Sequence, residues 1–224
     1  MAKLGASMDE NIVECLNISK NYGQDIIFED FNLSIKKEKC LVIMGESGSG
    51  KSTLLNMVGL LDLPNSGQIK IFDEFNIIPF SKKSEILLRD KIGYLFQNFA
   101  LVDNMTVYEN LNLALRNLKS KKKSVLIENA LKKVGLGGYE KKLVYQCSGG
   151  EQQRIAIARL LLKPCDLILC DEPTGSLDEV NKKIVLDLLY TLKKIGKTIV
   201  IVTHDADLLQ LADEVCKIEK LKKD

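Results

Sequence analysis

Three short stretches of the chain are apolar at nearly every position, which is the pattern of strands buried on both faces of a parallel sheet. They lie at Cys40–Met44 (CLVIM), residues 167–170 (LILC) and residues 198–202 (TIVIV). Residues 91–96 (KIGYLF) form a further plausible strand that ends at Gln97. Helical patterns separate these stretches, so the sequence predicts an α/β fold with a mostly parallel sheet.

Three other stretches alternate in part between apolar and polar residues, as half-buried strands do. They are residues 11–19, 31–35 and 68–72. Turn signals accompany them at residues 21–23 (Asn-Tyr-Gly) and 64–67 (Pro-Asn-Ser-Gly). Together these patterns predict a small antiparallel sheet near the first buried strand.

Helical spacing predicts helices at residues 53–60, 124–134, 148–162 and 181–195, with further helical structure within residues 104–118. The third of these begins with Ser-Gly-Gly and stops before Pro164. A capped core helix explains that start, and so does a second anion site at a helix N-terminus.

The first buried strand runs into MGESGSGKST at residues 44–53, which fits the P-loop pattern G-x-x-x-x-G-K-[ST]. Small residues let the backbone wrap closely around a phosphate chain, and the exposed amides then point at the anion. A Gly/Ser linker is the alternative, but a strand, a Gly-rich turn and a helix N-terminus stand here in the order that an anion site needs. The candidate nucleotide contacts are Gly45, Glu46, Ser47, Gly48, Ser49, Gly50, Lys51, Ser52 and Thr53.

Polar side chains also follow the other two buried strands. Asp171 and Glu172 come after residues 167–170, and His204, the single histidine of the chain, comes after residues 198–202. The acids taken alone could open a surface loop, and a lone histidine is usually structural. The carboxyl ends of parallel strands meet at one edge where ligands bind, so a single nucleotide site explains all three features. Asp171 can then hold Mg²⁺ and Glu172 can accept a proton from water.

Two further features of the sequence can each be interpreted in two ways. Tyr22 can stack on a nucleotide base or pack as a turn tyrosine on a strand. The basic run at residues 119–123 (KSKKK) can be a solvated loop or can contact anionic lipid headgroups.

Composition narrows the class of protein. The 224 residues are 46% hydrophobic and 28% charged, which is ordinary globular composition, and the net charge of +2 predicts no nucleic-acid partner. The six cysteines form no C-x-x-C pair, which favours buried reduced thiols. No stretch approaches 18 consecutive apolar residues. Residues 1–7 (MAKLGAS) are expected to be a leader that does not belong to the native chain, with Met8 as the native start.

With these motifs in place, the chain resembles the ATP-binding subunit of an ATP-binding cassette (ABC) transporter. GESGSGKS at residues 45–52 resembles Walker A, CSGGEQQR at 147–154 the family signature, LILCDEP at 167–173 Walker B and SLD at 176–178 the D-loop. Gln97 resembles the Q-loop glutamine, His204 the switch histidine and Tyr22 the aromatic that stacks on adenine.

The resemblance implies a fold and a set of roles. The fold is a P-loop NTPase with a RecA-like core at residues 8–97 and 156–224, including the antiparallel part, and an inserted helical signature subdomain at 98–155, all in one nucleotide-binding domain at 8–224. The implied ligands are ATP and Mg²⁺. The implied roles are Ser52, Gln97 and Asp171 for Mg²⁺ and its waters, Lys51 for the phosphates, Glu172 for the attacking water, His204 for the γ-phosphate, and Ser148, Gly149, Gly150 and Asp178 for the site of a partner.

The same resemblance implies partners and a location. The active unit is a dimer that sandwiches two ATP molecules, attached to a separate transmembrane permease at the cytoplasmic face of the membrane. Residues 96–111 and 148–161 are similar to the macrolide-exporter, lipoprotein-release and bacitracin-resistance group, with residues 97–111 expected at the permease surface. Cys147 stands where the signature usually has Leu, and Leu143-Val144 stands where this group often has an aromatic residue and Pro. The alternatives are an ABC ATPase that acts without transport and a regulator of cell-wall remodelling.

Overall fold

The computed structural model describes residues 10–119 and 122–221. In chain order the strands are β1 (Asn11–Tyr22), β2 (Asp25–Lys36), β3 (Cys40–Met44), β4 (Ser66–Ile71), β5 (Glu74–Phe75), β6 (Ile92–Leu95), β7 (Leu167–Asp171), β8 (Thr198–Thr203) and β9 (Glu214–Lys217). The α-helices are α1 (Lys51–Val58), α2 (Lys82–Asp90), α3 (Val107–Ala114), α4 (Lys123–Lys133), α5 (Gly149–Leu162) and α6 (Glu179–Lys194). Short 3₁₀ turns occupy Val144–Gln146 and Ala206–Leu211.

Five parallel strands form the central sheet, in the order β6-β7-β8-β3-β9. Strand β8 lies between β7 and β3, so the loops that follow these three strands emerge side by side. The predicted α/β class with a mostly parallel sheet is confirmed, and the three apolar stretches are its central strands.

The apolar stretches are buried on both faces because neighbouring side chains of a strand point in opposite directions. In β7, Leu169 packs into one hydrophobic cluster with α1 and the antiparallel sheet, while Ile168 packs into another with α3 to α6. Strand β8 divides in the same way, with Val200 in the first cluster and Ile201 in the second. The sheet therefore separates two cores, and its carboxyl edge is left for the site.

The predicted antiparallel sheet is also present, in the order β2-β1-β4-β5. Its turn boundaries differ from the prediction. Asn21 and Tyr22 are the last residues of β1, and the turn is formed by Gly23 and Gln24. Ser66 and Gly67 already belong to β4, because that strand pairs with β1 as far as Ser66.

Helices α3 and α4 pack against α5 and form a helical layer beside the sheet. The division into a core and a helical subdomain at residues 98–155 stays a prediction, and α5 runs through its second boundary as one continuous helix. Residues 1–7 and part of the basic run at 119–123 lie outside the described residues. Among the residues that the structure describes, no helix has both the length and the apolar character to cross a bilayer.

All six cysteines are free, five of them buried and Cys216 partly exposed, as the sequence predicts. Burial raises the pKa of the Cys15 and Cys40 thiols to about 12, so both stay protonated at neutral pH.

Candidate functional site

The glycine-rich loop joins β3 to α1 and has the geometry of a phosphate cradle. Gly50 precedes the helix with φ 94°, a left-handed conformation that favours glycine. A Cβ on Gly45 would lie 2.4 Å from the carbonyl oxygen of Ile218, so no larger residue fits there. Helix α1 begins at Lys51, two residues earlier than predicted, which puts its N-terminal amides directly at the loop.

Lys51 lies across this loop. Its ammonium donates hydrogen bonds to the carbonyl oxygens of Gly45 and Glu46, both at 2.8 Å, and the residue is buried. The Ser49 hydroxyl is also buried, and it has no hydrogen-bond partner within the described part of the chain. A buried donor without a partner is costly, and a phosphate oxygen in the loop would satisfy it. The loop thus fits a phosphate chain on its own geometry.

The predicted cation ligands Ser52 and Asp171 meet at the base of the loop. The Ser52 hydroxyl donates to the Asp171 carboxylate at 3.1 Å, across 119 positions of sequence. Burial raises the pKa of Asp171, the neighbouring Glu172 raises it further, and the Ser52 hydrogen bond and Lys51 offset this in part. A divalent cation would offset the cost of burying the Asp171 carboxylate. The oxygens of Ser52 and Asp171 are both hard ligands of the kind that Mg²⁺ prefers.

Gln97, the third predicted cation ligand, is exposed and begins the turn after β6. Strand β6 is the neighbour of β7, with Leu95 opposite Cys170, so Gln97 lies at the same sheet edge as Asp171. The described residues contain no group of three or more His, Cys, Asp or Glu side chains that could hold a metal. The three predicted ligands offer hydroxyl, amide and carboxylate oxygens, which suit a cation that keeps several waters and binds phosphate oxygens, as Mg²⁺ does.

Glu172 and His204 form the second pair of the site. Nδ1 of His204 lies 2.9 Å from Oε1 of Glu172, while the Thr203 hydroxyl donates to Oε2 at 3.0 Å. The Glu172 side chain is 15% exposed and that of His204 69% exposed. Glu172 also has a left-handed backbone (φ 45°), a strained conformation of the kind that occurs at functional sites.

Tyr22 lies at the end of β1 and reaches α1. Its hydroxyl donates to Asp62 at 2.6 Å; burial and Asp62 raise the pKa of Tyr22, and the nearby Thr53 side chain offsets this in part. The Lys20 ammonium lies 4.8 Å from the centre of the ring. Lys20 lies over the ring and Asp62 holds its hydroxyl, yet about half of the Tyr22 side chain is exposed. This exposed surface is available to a base beside the loop.

The signature residues lie at the start of α5, and the hydrogen bonds of Ser148 are made within that helix start. The Ser148 hydroxyl accepts from the amide of Glu151 at 3.3 Å, and the Glu151 carboxylate accepts from the amide of Ser148 at 2.8 Å. This capping box leaves Ser148 and Gly149 exposed. Cys147 is buried in the core that includes α3 to α5, where it fills the space of an apolar side chain.

Asp178 caps α6 and is tied to the signature helix through one residue. Its carboxylate accepts from the amide and from the side chain of Asn181, both at 2.8 Å. Asn181 also packs on Gly150, where a Cβ would approach its carboxamide to 2.4 Å, and it accepts a short hydrogen bond from Arg154. The predicted residues therefore form two groups, one at the sheet edge and one at the starts of α5 and α6.

The residues that orient these groups are not among those predicted from the sequence. Thr203 and Asp62 hold Glu172 and Tyr22, respectively. Thr203 ends an apolar strand directly before His204, which is a usable signal. Asp62 has no such signal, because its link to β1 forms only in the folded chain.

Comparisons with known proteins agree with this geometry. A sequence profile described as ABC transporter matches residues 28–175. The macrolide export ATP-binding/permease protein MacB of Campylobacter jejuni is 38% identical over 208 residues, which are 91% of this chain and 32% of that protein. The spermidine/putrescine import ATP-binding protein PotA of Clostridium acetobutylicum is 37% identical over 93% of this chain and 59% of its own length. This chain thus spans about a third of the one relative and 59% of the other.

Two solved structures resemble most of the chain. The dimeric structure of MJ0796, a bacterial ABC transporter cassette, superposes with a TM-score of 0.84 at 33% identity, covering 94% of this chain and 97% of that one. The dimeric post-hydrolysis state of the same cassette, bound to ADP and Pi, also has a TM-score of 0.84 and 33% identity, with 95% and 97% covered.

Proposed function

We propose, on the premise that this chain belongs to the ABC transporter family, that it binds and hydrolyses ATP to drive a membrane transporter. One observation carries the proposal. The phosphate loop, the Ser52–Asp171 pair and the Glu172–His204 pair converge at the carboxyl edge of one parallel sheet.

Each group then has a role in phosphoryl transfer to water. The triphosphate takes the loop amides, and the Lys51 ammonium exchanges its carbonyl partners for phosphate oxygens. Ser52, Asp171 and Gln97 would hold Mg²⁺, which supplies neutralisation of the phosphate charge when it is bound. Glu172 accepts a proton from the attacking water, and His204, held beside it, contacts the γ-phosphate. Such chemistry depends mostly on positioning and charge.

A second copy of the chain completes each site. Ser148 and Gly149 are exposed at the start of α5 and make their hydrogen bonds away from the glycine-rich loop of their own chain. In the proposed dimer they close over the nucleotide of the partner, with Asp178 beside them. Hydrolysis then requires closure of the dimer, and closure is the motion that can move a permease.

A groove beside the site is the proposed contact with the permease. It has a volume of about 850 Å³ and runs along β6 and the ends of α3 and α5. Its wall includes Ala100, from the span predicted for this contact, and continues along 113–118. Leu113 offers half-exposed apolar surface and Arg116 an exposed cation, which fits an amphipathic cytoplasmic segment with an acidic residue. This contact would hold the chain at the cytoplasmic face of the membrane.

The resemblance to macrolide exporters supports export or release of peptides, antibiotics or lipoproteins as the transport function. Contacts with the transported molecule would lie in the permease, because the site described above is built for nucleotide. The identity of that molecule therefore has to come from the partner.

The experiment is affinity capture of the tagged chain from detergent-solubilised membranes, with proteins identified by mass spectrometry. We expect one multi-span protein at a ratio near two to two, and loss of that protein with Leu113→Glu. Val215→Glu is the matched control, since Val215 and Leu113 are both 50% exposed and Val215 lies on edge strand β9, away from the groove. Recovery of no membrane protein, with ATP binding intact, would favour an ABC ATPase that acts without transport.

A further inference from the structure

A cluster of three charged side chains connects α6 to the loop that carries His204. The Lys182 ammonium lies 3.0 Å from the Asp205 carboxylate and makes a shorter contact with Asp207. The side chains of Lys182 and Asp205 are only 15% and 17% exposed, so this ion pair is shielded from solvent more than an ordinary surface pair. The proposed phosphoryl-transfer chemistry uses none of these groups.

Hydrogen bonds connect Asp205 to the Glu172–His204 pair. The Thr174 hydroxyl donates to Asp205 at 2.8 Å, and the Asp205 amide donates to the Thr203 hydroxyl at 3.0 Å. The same Thr203 hydroxyl donates to Glu172 at 3.0 Å. A continuous series of short contacts therefore runs from Lys182 to the carboxylate that lies beside His204.

The Lys182–Asp205 ion pair is held in its charged form. Burial raises the pKa of Asp205, but hydrogen bonds from the Asp207 amide, Lys182 and Thr174 outweigh it and hold that pKa below the usual value. The hydrogen bonds to Asp207 and Asp205 raise the pKa of Lys182. Removal of the ammonium would leave a largely buried carboxylate with a second carboxylate nearby, and their repulsion would displace the loop.

We propose that Lys182 is a positioning residue, which holds the His204 loop against the first turn of α6 and so fixes the geometry of the Glu172–His204 pair. The inference rests on the proposed ATPase function. Lys182 touches neither the phosphate loop nor the Ser52–Asp171 pair, so its effect falls on the rate of hydrolysis rather than on nucleotide binding. The same turn of α6 also contains Asn181, which accepts a hydrogen bond from Arg154 of the signature helix α5. The first turn of α6 therefore contacts both the His204 loop and the signature helix.

The kinetic test compares Lys182→Met, Lys182→Arg and Lys183→Met. Methionine removes the charge and keeps the length of the stem, while arginine keeps the charge. Small displacements of catalytic groups cost up to about 100-fold in rate, so we expect Lys182→Met to lower kcat about tenfold with KM for ATP changed less than about twofold. Lys182→Arg should retain most of the activity. Lys183, the exposed neighbour, is the matched control and should behave as wild type.

A spectroscopic test reports on His204 whether or not the protein hydrolyses ATP. The chain has a single histidine, so with a histidine-free tag its Cε1–H resonance has one assignment. We expect that resonance to shift or broaden in Lys182→Met and to stay in place in Lys183→Met. Lys182→Gln removes the same charge and keeps a polar side chain, so it should move the resonance in the same way and serves if Lys182→Met does not fold.

Unchanged kcat and an unchanged His204 resonance in folded Lys182→Met or Lys182→Gln would overturn the proposal. Absence of ATP hydrolysis in the wild type would instead contradict the proposed function, and the His204 resonance would still decide the role of Lys182.

Discussion

Nδ1 of His204 lies 2.9 Å from Oε1 of Glu172, joining the loop after β8 to the loop after β7. These strands are neighbours in the sheet, with Asp171 opposite Val202, so the pairing follows directly from the parallel order. The second carboxylate oxygen accepts from Thr203. Both oxygens of Glu172 are thus oriented by neighbouring side chains, as a proton acceptor requires.

Glu172→Gln should bind ATP as the wild type does and lose nearly all turnover. The glutamine keeps an oxygen that can accept from Thr203, but it cannot take a proton from water, and such transfer contributes about 10²- to 10⁴-fold. Phosphate release gives kcat, and a nucleotide titration gives affinity. Glu85→Gln, on the exposed side of α2, is the control. Turnover of Glu172→Gln near the wild-type rate would remove this residue from the mechanism.

A mixture of two inactive variants should recover activity if each site is divided between two chains. Lys51→Ala damages the phosphate loop, and Ser148→Arg blocks the signature that serves the partner. A mixed dimer keeps one intact site, which combines Lys51 of one chain with Ser148 of the other. Half of random dimers are mixed, so about a quarter of wild-type activity is expected.

The control for that experiment mixes Lys51→Ala with Glu172→Gln. Both changes lie on the same side of a divided site, so each site of the mixed dimer carries one defect and no recovery is expected. Recovery in this control, or none with Ser148→Arg, would contradict the split site.

The sequence predicted the central strands because their residues are apolar on both faces, and a one-residue shift leaves them buried. It missed β9, which pairs on one side only and alternates weakly in burial. It also missed α2, a short helix in which Ser84 is the only fully buried residue and the apolar face consists of the partly buried Leu87 and Leu88.

The candidate site was predictable where a short motif follows a buried strand, as with Lys51, Asp171 and His204. The residues that hold these groups come from elsewhere in the chain. Lys182 is 23 positions from Asp205, and no sequence period connects them, because their contact depends on how α6 packs beside the loop after β8. The local sequence pattern therefore predicts the residues that carry the chemistry, whereas the residues that position them are determined by tertiary packing.

Tyr22→Ala should weaken ATP binding about fivefold, which corresponds to the lower end of base-stacking energies, about 1 kcal/mol, for a half-exposed ring. Tyr22→Phe keeps the ring and should lose less. Binding of inorganic tripolyphosphate, which has no base, should be the same in wild type and both variants. An equal loss of tripolyphosphate binding in Tyr22→Ala would mean that Tyr22 supports the loop through Thr53 instead of stacking on adenine.

Glu151 should make the start of α5 sensitive to acid. Its carboxylate accepts from Tyr139 at 2.7 Å, from the Ser148 amide at 2.8 Å and from Lys142 at 3.1 Å. Burial raises the pKa of Glu151, but these hydrogen bonds outweigh it and hold the pKa below its usual value.

The native state therefore binds the Glu151 proton less tightly than the unfolded chain does. The resulting stability is complete above the unfolded pKa of about 4.3, and it is lost as the pH falls through the native pKa. Glu151→Gln keeps an acceptor and removes the charge, so its Tm should lie below that of wild type at pH 7, and the difference should close as the pH falls below the unfolded pKa of about 4.3. Thermal melts from pH 7 to below that pKa, with Glu85→Gln as the control, measure it; a difference that stays constant with pH would show that the carboxylate charge does not stabilise the signature cap.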